Sequence, residues 1–213
     1  MNTFNLEKMI NRIYSSIMFR FLSLFSLNKI KTEEKVIYLT FDDGPEPGIT
    51  ETILNLLNEY NAKATFFCTG KNFEKHSELV QLIKDNGHCL GNHTYSHLNA
   101  LKESYKNYIN DANKGKEIIQ SNLFRPPWGA LSVCTFLNLR KKNKLILWSI
   151  TSKDTYPNTD WEKHCQLMVN ETKPGSIVLF HFSLKHAVRT LQILPIYMKR
   201  INEMNFKYYL LKD

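Results

Sequence analysis

Two adjacent carboxylates and three histidines stand where apolar runs of the chain stop. The run at 37–41 ends in Asp42 and Asp43, and Gly44 and Pro45 then force a turn. On a regular strand neighbouring side chains point to opposite faces, so both acids serve one site only if the strand curls at its end. Otherwise Asp42 caps the turn and Asp43 is solvated. His93 and His97 stand four apart, a spacing that on a helical turn brings both imidazoles to one metal ion. That pair is weak evidence alone. With a strand-end carboxylate beside it, it makes an Asp-His-His set with a coordination position open for water, the arrangement of a catalytic metal.

Two further segments end in chemistry. Arg125, Pro126, Pro127, Trp128 and Gly129 present a stiffly held arginine whose fork suits a buried carboxylate such as Asp42, and an indole on which a sugar ring could stack. The plainer reading is a rigid loop with a packing tryptophan and a surface arginine. The apolar run at 176–180 ends in His181, which would terminate on the same face as the other motifs.

These residues need parallel strands that all stop on one side. After residue 35 strand-like runs (36–41, 64–69, 88–91, 123–125, 145–150, 176–181 and 206–211) alternate with helix-like ones (50–60, 77–86, 105–120, 135–142 and 187–203). Pro195 should kink or shorten the last helix. About seven β/α units in 213 residues predict an α/β fold, a distorted (β/α) barrel that need not be complete, with an open sheet as the alternative. Residues 35–213 read as one domain and 1–34 as a separate segment. Its apolar stretch at 17–27 is too short and, through Arg20, too interrupted to span a membrane. With Lys8, Arg12, Arg20 and Lys29 it reads as a basic amphipathic helix that packs on the domain or rests on a membrane surface. No signal-peptide cleavage pattern follows it, so a cytoplasmic or membrane-peripheral location is the expectation.

Composition narrows the partners. The formal net charge is +8, but Lys and Arg are spread along the chain, which argues against a nucleic-acid arm. Such a surface suits an anionic envelope, phospholipid headgroups or a phosphorylated sugar, or serves solubility only. Cys68, Cys89, Cys134 and Cys165 form no C-x-x-C pair and read as reduced core residues. His88 reads as a core histidine, and His76, His164 and His186 as surface residues. There is no phosphate-cradling glycine loop and no nucleophile elbow, which disfavours nucleotide hydrolysis and serine esterase chemistry.

The ordered segments T-F-D-D-G-P (40–45), H-T-Y-S-H (93–97), R-P-P-W-G (125–129) and L-F-H (179–181) resemble the successive motifs of the polysaccharide deacetylases, carbohydrate esterase family 4. The resemblance covers about residues 35–213. It implies a distorted (β/α) barrel and a hydrolase that removes N-acetyl groups from N-acetylglucosamine-type sugars. It implies that Asp43, His93 and His97 bind one divalent metal ion, usually zinc, that Asp42 is the general base held by Arg125, and that His181 is the general acid. Trp128 (with its backbone N–H at the oxyanion), Pro127, Leu179 and Tyr95 would contact substrate. Two positions depart from the pattern. Thr151 stands where an aspartate that orients the catalytic His or Arg is expected, and Asp154, three residues on, either substitutes or caps its loop. Phe182 replaces a common aspartate and should make the pocket rim more apolar. The same constellation would also serve an O-acetyl esterase or a small-amide amidase, and a carbohydrate-binding barrel without turnover is the remaining alternative.

Overall fold

The computed structural model describes residues 26–156 and 160–212. Eight strands all run parallel: β1 (Val36–Asp43), β2 (Ala64–Cys68), β3 (Cys89–Asn92), β4 (Leu123–Phe124), β5 (Lys144–Leu145), β6 (Ile150–Thr151), β7 (Ile177–His181) and β8 (Lys207–Tyr208). Seven of them pair in the order β5-β4-β3-β2-β1-β7-β6, and β8 lies beside the first residues of β1. The two ends of this row are consecutive in the chain. Residues 144–152 pair with β4 at their start, where the Ile146 N–H donates to the Phe124 carbonyl, and with β7 at their end, where the Ser152 N–H donates to the Leu179 carbonyl. The sheet is therefore a curled, open barrel of seven parallel strands, as the sequence led us to expect. The single strand expected over 145–150 is divided between the two edges, and that expected over 206–211 is only Lys207–Tyr208.

Side-chain alternation in β1 organises the layers. Ile37, Leu39 and Phe41 face outward into the largest core cluster, with Ile53, Leu54 and Leu57 of α1 (Ile49–Glu59) and Leu194, Tyr197 and Met198 of α7 (Ala187–Glu203). Val36 and Tyr38 belong instead to the inner cluster, with Phe67, Leu123, Ile146 and Ile177. Thr40 and Asp42 continue this inward row toward the C-terminal end of the barrel. The remaining helices are α2 (Gly70–Lys75), α3 (Ser77–Asp85), α4 (Tyr105–Ile119), α5 (Val133–Leu139) and α6 (Trp161–Glu171).

Several expectations need correction. Helices α2 and α6 were not foreseen, although α6 carries readable signals: Asp160 accepts the Lys163 N–H as N-cap, Glu162 sits in the first turn, and His164, Cys165, Met168 and Val169 form its buried stripe. Pro195 does not shorten α7, whose residues 187–203 are one helix with its apolar face buried across the proline. Phe182 is fully buried against Phe66 and does not reach the pocket rim. All four cysteines are free, but Cys134 is exposed and is not a core residue.

The expected amphipathic helix lies outside the described residues up to residue 25. Of the segment 1–34, residues 27–30 are described and pack against the barrel: the Leu27 N–H donates to the Leu145 carbonyl and the Ile30 N–H to the Gly175 carbonyl. No helix among the described residues is long and apolar enough to cross a membrane. Gly175 has a φ of 82°, and a Cβ there would meet the Ile30 carbonyl oxygen at 1.7 Å. Gly175→Ala should therefore cost about 2 kcal/mol or more and lower the melting temperature by about 5 °C. A thermal melt indistinguishable from wild type would contradict this packing.

Candidate active site

Asp42 follows the inward row of β1 and is 2% exposed. Simple alternation would turn Asp43 away from it, into the helix layer. Asp43 instead has a φ of 86°, so the curl that the two acids require falls on Asp43 itself, just before the cis Gly44–Pro45 peptide. Its carbonyl is fixed in the new direction by the Asn72 side-chain amide at 3.0 Å and the Thr69 hydroxyl at 3.3 Å. Gly44 is needed because Phe182 packs where its Cβ would be, at 2.5 Å.

His93 and His97 do meet, but not on a helical turn. They lie in a loop after β3 in which Thr94 (φ 63°) and His97 (φ 58°) are both left-handed. Asp111 of α4 holds this loop: its Oδ2 accepts the backbone N–H groups of Tyr95 and Ser96 at 3.1 and 2.9 Å. His97 Nε2 lies 3.1 Å and His93 Nε2 3.5 Å from Asp43 Oδ1. The His97 ring packs on Trp128, centroids 4.4 Å apart.

Three observations test this trio as a metal site. His93 Nδ1 lies 2.7 Å from the Arg125 carbonyl, which can only accept, so Nδ1 carries the proton and Nε2 turns its lone pair toward Asp43. Asp43 Oδ1 is buried and has no hydrogen-bond partner. The two nitrogen-to-oxygen separations are those of neighbouring ligands, which in a tetrahedral zinc site sit about 3.3 Å apart. Asp43, His93 and His97 therefore fit a divalent cation, and they are the ligand-bearing cluster found among the described residues.

Arg125 is fully buried under this floor. Its Nη1 donates at 2.8 Å to both Asp42 Oδ1 and Thr40 Oγ1, and Nη2 donates to the Leu147 carbonyl at 3.1 Å. Its guanidinium lies 4.2 Å over the Phe67 ring. Asp42 Oδ1 is thereby occupied and Oδ2 turns toward His93, 3.8 Å away.

On the adjacent strand, in register with Asp42, His181 ends β7. Asp154, fully buried, accepts from His181 twice, from Nδ1 at 2.7 Å and from the backbone N–H at 2.8 Å, and from the Thr190 hydroxyl at 2.9 Å. Burial works against the imidazolium, but Asp154 outweighs it and raises the His181 pKa to about 9. Asp154 thus orients this histidine. Thr151 does not: its hydroxyl accepts the Lys153 N–H and its carbonyl pairs with His164 Nε2 at 2.8 Å.

These groups open into one cleft of about 670 Å³, also lined by Leu179, Tyr95, Trp128 and Trp148. Trp128 is 57% exposed and available to a ligand, whereas Pro127 is buried and does not line the cleft. His164 and His186 are not surface residues. Both are buried, and His186 lines the cleft with its ring 5.3 Å from that of His181. Sequence reasoning also missed Asp111, Thr69 and Asn72, which carry no motif because they act on backbone groups.

Two outcomes follow. Arg125→Met strands a buried Asp42 carboxylate and should cost about 3–5 kcal/mol in denaturant unfolding at neutral pH, with part recovered when Asp42→Asn is added. Because the folded-state pKa of His181 is raised, its stabilisation is complete below the ordinary value of 6.5 and is lost as pH rises through about 9. In Asp154→Asn the His181 imidazole should titrate well below the wild-type value in an NMR pH series. An unchanged titration would refute the role of Asp154.

Residues 29–145 match the family model described as polysaccharide deacetylase. The chain is 31% identical over 187 residues to a peptidoglycan-N-acetylglucosamine deacetylase of Bacillus cereus, covering 84% of this chain and 88% of that one. It is 34% identical over 167 residues to a chitooligosaccharide deacetylase of Azorhizobium caulinodans, covering 72% and 76%. A crystallised peptidoglycan N-acetylglucosamine deacetylase in complex with an N-hydroxybenzamide superposes with a TM-score of 0.81 at 27% identity, covering 87% of this chain and 90% of that one. The fold, the ordered motifs and these likenesses together make the chain a member of the polysaccharide deacetylase family.

Proposed function

We propose that the protein is a metal-dependent N-deacetylase of N-acetylglucosamine-type glycans, releasing acetate and a free amino sugar. The observation that carries this reading is the placement of a carboxylate and an imidazole, each anchored by its own buried partner, beside one ion-ligand cluster. A carboxylate anchored by Arg125 stands on one strand and an imidazolium anchored by Asp154 on the next, with Asp43, His93 and His97 beside them. Such a split of acid and base is what hydrolysis of an amide needs, since the amine leaves only if protonated.

A divalent cation on the trio, zinc by its ligand set, would supply Lewis acidity to the acetamide carbonyl and lower the pKa of water. Asp42 is the base. Arg125 occupies its Oδ1, which leaves Oδ2 to take the proton as water attacks. The Trp128 N–H is assigned to the carbonyl oxygen as negative charge develops there. His181 is the acid. Its Nδ1 is committed to Asp154, so Nε2 gives its proton to the departing amine. Leu179, inward-facing on β7, bounds the space for the acetyl methyl, while Trp128 offers an exposed face to the sugar rings and Tyr95 lines the cleft.

Acetate release from N-acetylglucosamine oligomers tests the reading. The zinc-loaded protein should turn over. Stripping with a chelator should lower the rate at least 100-fold, and returning zinc should restore it. Turnover of an O-acetyl ester with no acetate from the oligomers would make it an esterase instead. Full activity after metal removal would refute metal dependence.

A further inference from the structure

The cleft has two unlike ends. Beyond β4 it is aromatic, closed by Trp128 against His97. Beyond β6 and β7 positive charge predominates: Lys153, Tyr156, Lys185 and His186 line this end with Glu46, and Lys71 lines the cleft beyond β2.

Of the carboxylates around the cleft, only Glu46 keeps its charge at the β6–β7 end, where it faces two lysines. Asp42 is held by Arg125, Asp43 belongs to the ion-ligand trio and Asp154 is paired with His181, while Glu46 accepts the Leu184 N–H. The ion pairs among the described residues involve none of Lys71, Lys153 and Lys185. A bound divalent cation would add further positive charge.

Two details set the β6–β7 end apart from an ordinary lysine-bearing surface. Lys153 has a φ of 54°, a left-handed conformation that glycine or asparagine adopts at lower cost. A long cationic side chain therefore stands where loop geometry alone favours another residue. His186 is only 8% exposed, and its Nδ1 is buried without a hydrogen-bond partner beside the lysine that precedes it.

We propose that this end of the cleft is a subsite for an anionic substituent of the glycan, a phosphate or a carboxylate, held chiefly by Lys153 and Lys185. The subsite rests on the deacetylase reading and narrows its substrate class to acidic N-acetylated glycans. Lysines suit the task because an ammonium on a flexible stem meets an anion whose position varies along a polymer, where an arginine fork would demand one geometry. The same charges raise the local concentration of acidic substrate, an effect that salt weakens.

The test compares chitotetraose with the same oligomer carrying phosphate on O6 or a carboxylate at C6 of randomly placed sugars, so that either side of the reacting sugar is sampled. With the zinc-loaded full chain, kcat/KM on the acidic oligomers should exceed that on the neutral one about tenfold at low salt, and the ratio should fall as salt is added. In the double variant Lys153→Gln/Lys185→Gln the ratio should fall close to 1. A preference for only the phosphate or only the carboxylate would identify the group. A ratio near 1 in the wild type, or one that survives in the double variant, would overturn the subsite. If no oligomer releases acetate, the deacetylase reading fails separately. Binding to Asp42→Asn protein then decides: tighter binding of acidic oligomers that is lost with the two lysines supports the subsite, and equal binding overturns it.

Discussion

A fully buried arginine charge in the middle of the barrel constrains the rest of the structure. Arg125 has no access to water, so every donor must find an acceptor within the protein, and its charge must find an opposite one. It reaches Thr40 and Asp42 on β1 and the Ile146 and Leu147 carbonyls on the segment that joins the two sheet edges. The same residue's carbonyl fixes the tautomer of His93. One side chain and its backbone thus set the orientation of Asp42, tie β1 to the segment joining the two sheet edges and turn the His93 Nε2 toward Asp43. Such an arrangement gains little stability over an apolar core, and its value is in holding Asp42 at one place.

The second constraint is the switch at the end of β1. Parity along the strand separates Asp42 from Asp43, and a single left-handed residue brings them back to one site while leaving them in different surroundings. Asp42 lies in the barrel interior with a guanidinium. Asp43 lies between two imidazoles. Adjacent residues of one type can hold different duties because their neighbours differ, not because their chemistry does.

Much of this was legible in the chain. The strand-end positions of Asp42, Asp43, Arg125 and His181 follow from apolar runs stopping at polar residues, and the parallel barrel follows from the alternation of elements. What escaped was set by tertiary contact. The path of His93 and His97 is a loop with two left-handed residues, held by Asp111 from α4, and no local spacing encodes it. His186 looks solitary in sequence and becomes part of the cleft only because α7 begins there. Phe182 reads as a rim residue from its place after His181, but strand alternation drives it into the outer core. Asp154 could be read either way until its contacts were seen. The loop lets it reach back to both the ring and the backbone of His181.

The account stands on the division of labour between the two neighbouring aspartates. The most direct test titrates zinc into Asp42→Asn and Asp43→Asn proteins and measures acetate release from each at saturating metal. The account predicts one zinc per chain and near wild-type affinity in Asp42→Asn, with turnover reduced about 100-fold or more, and zinc affinity itself weakened in Asp43→Asn. Retained turnover in Asp42→Asn, or undiminished zinc binding in Asp43→Asn, would contradict it.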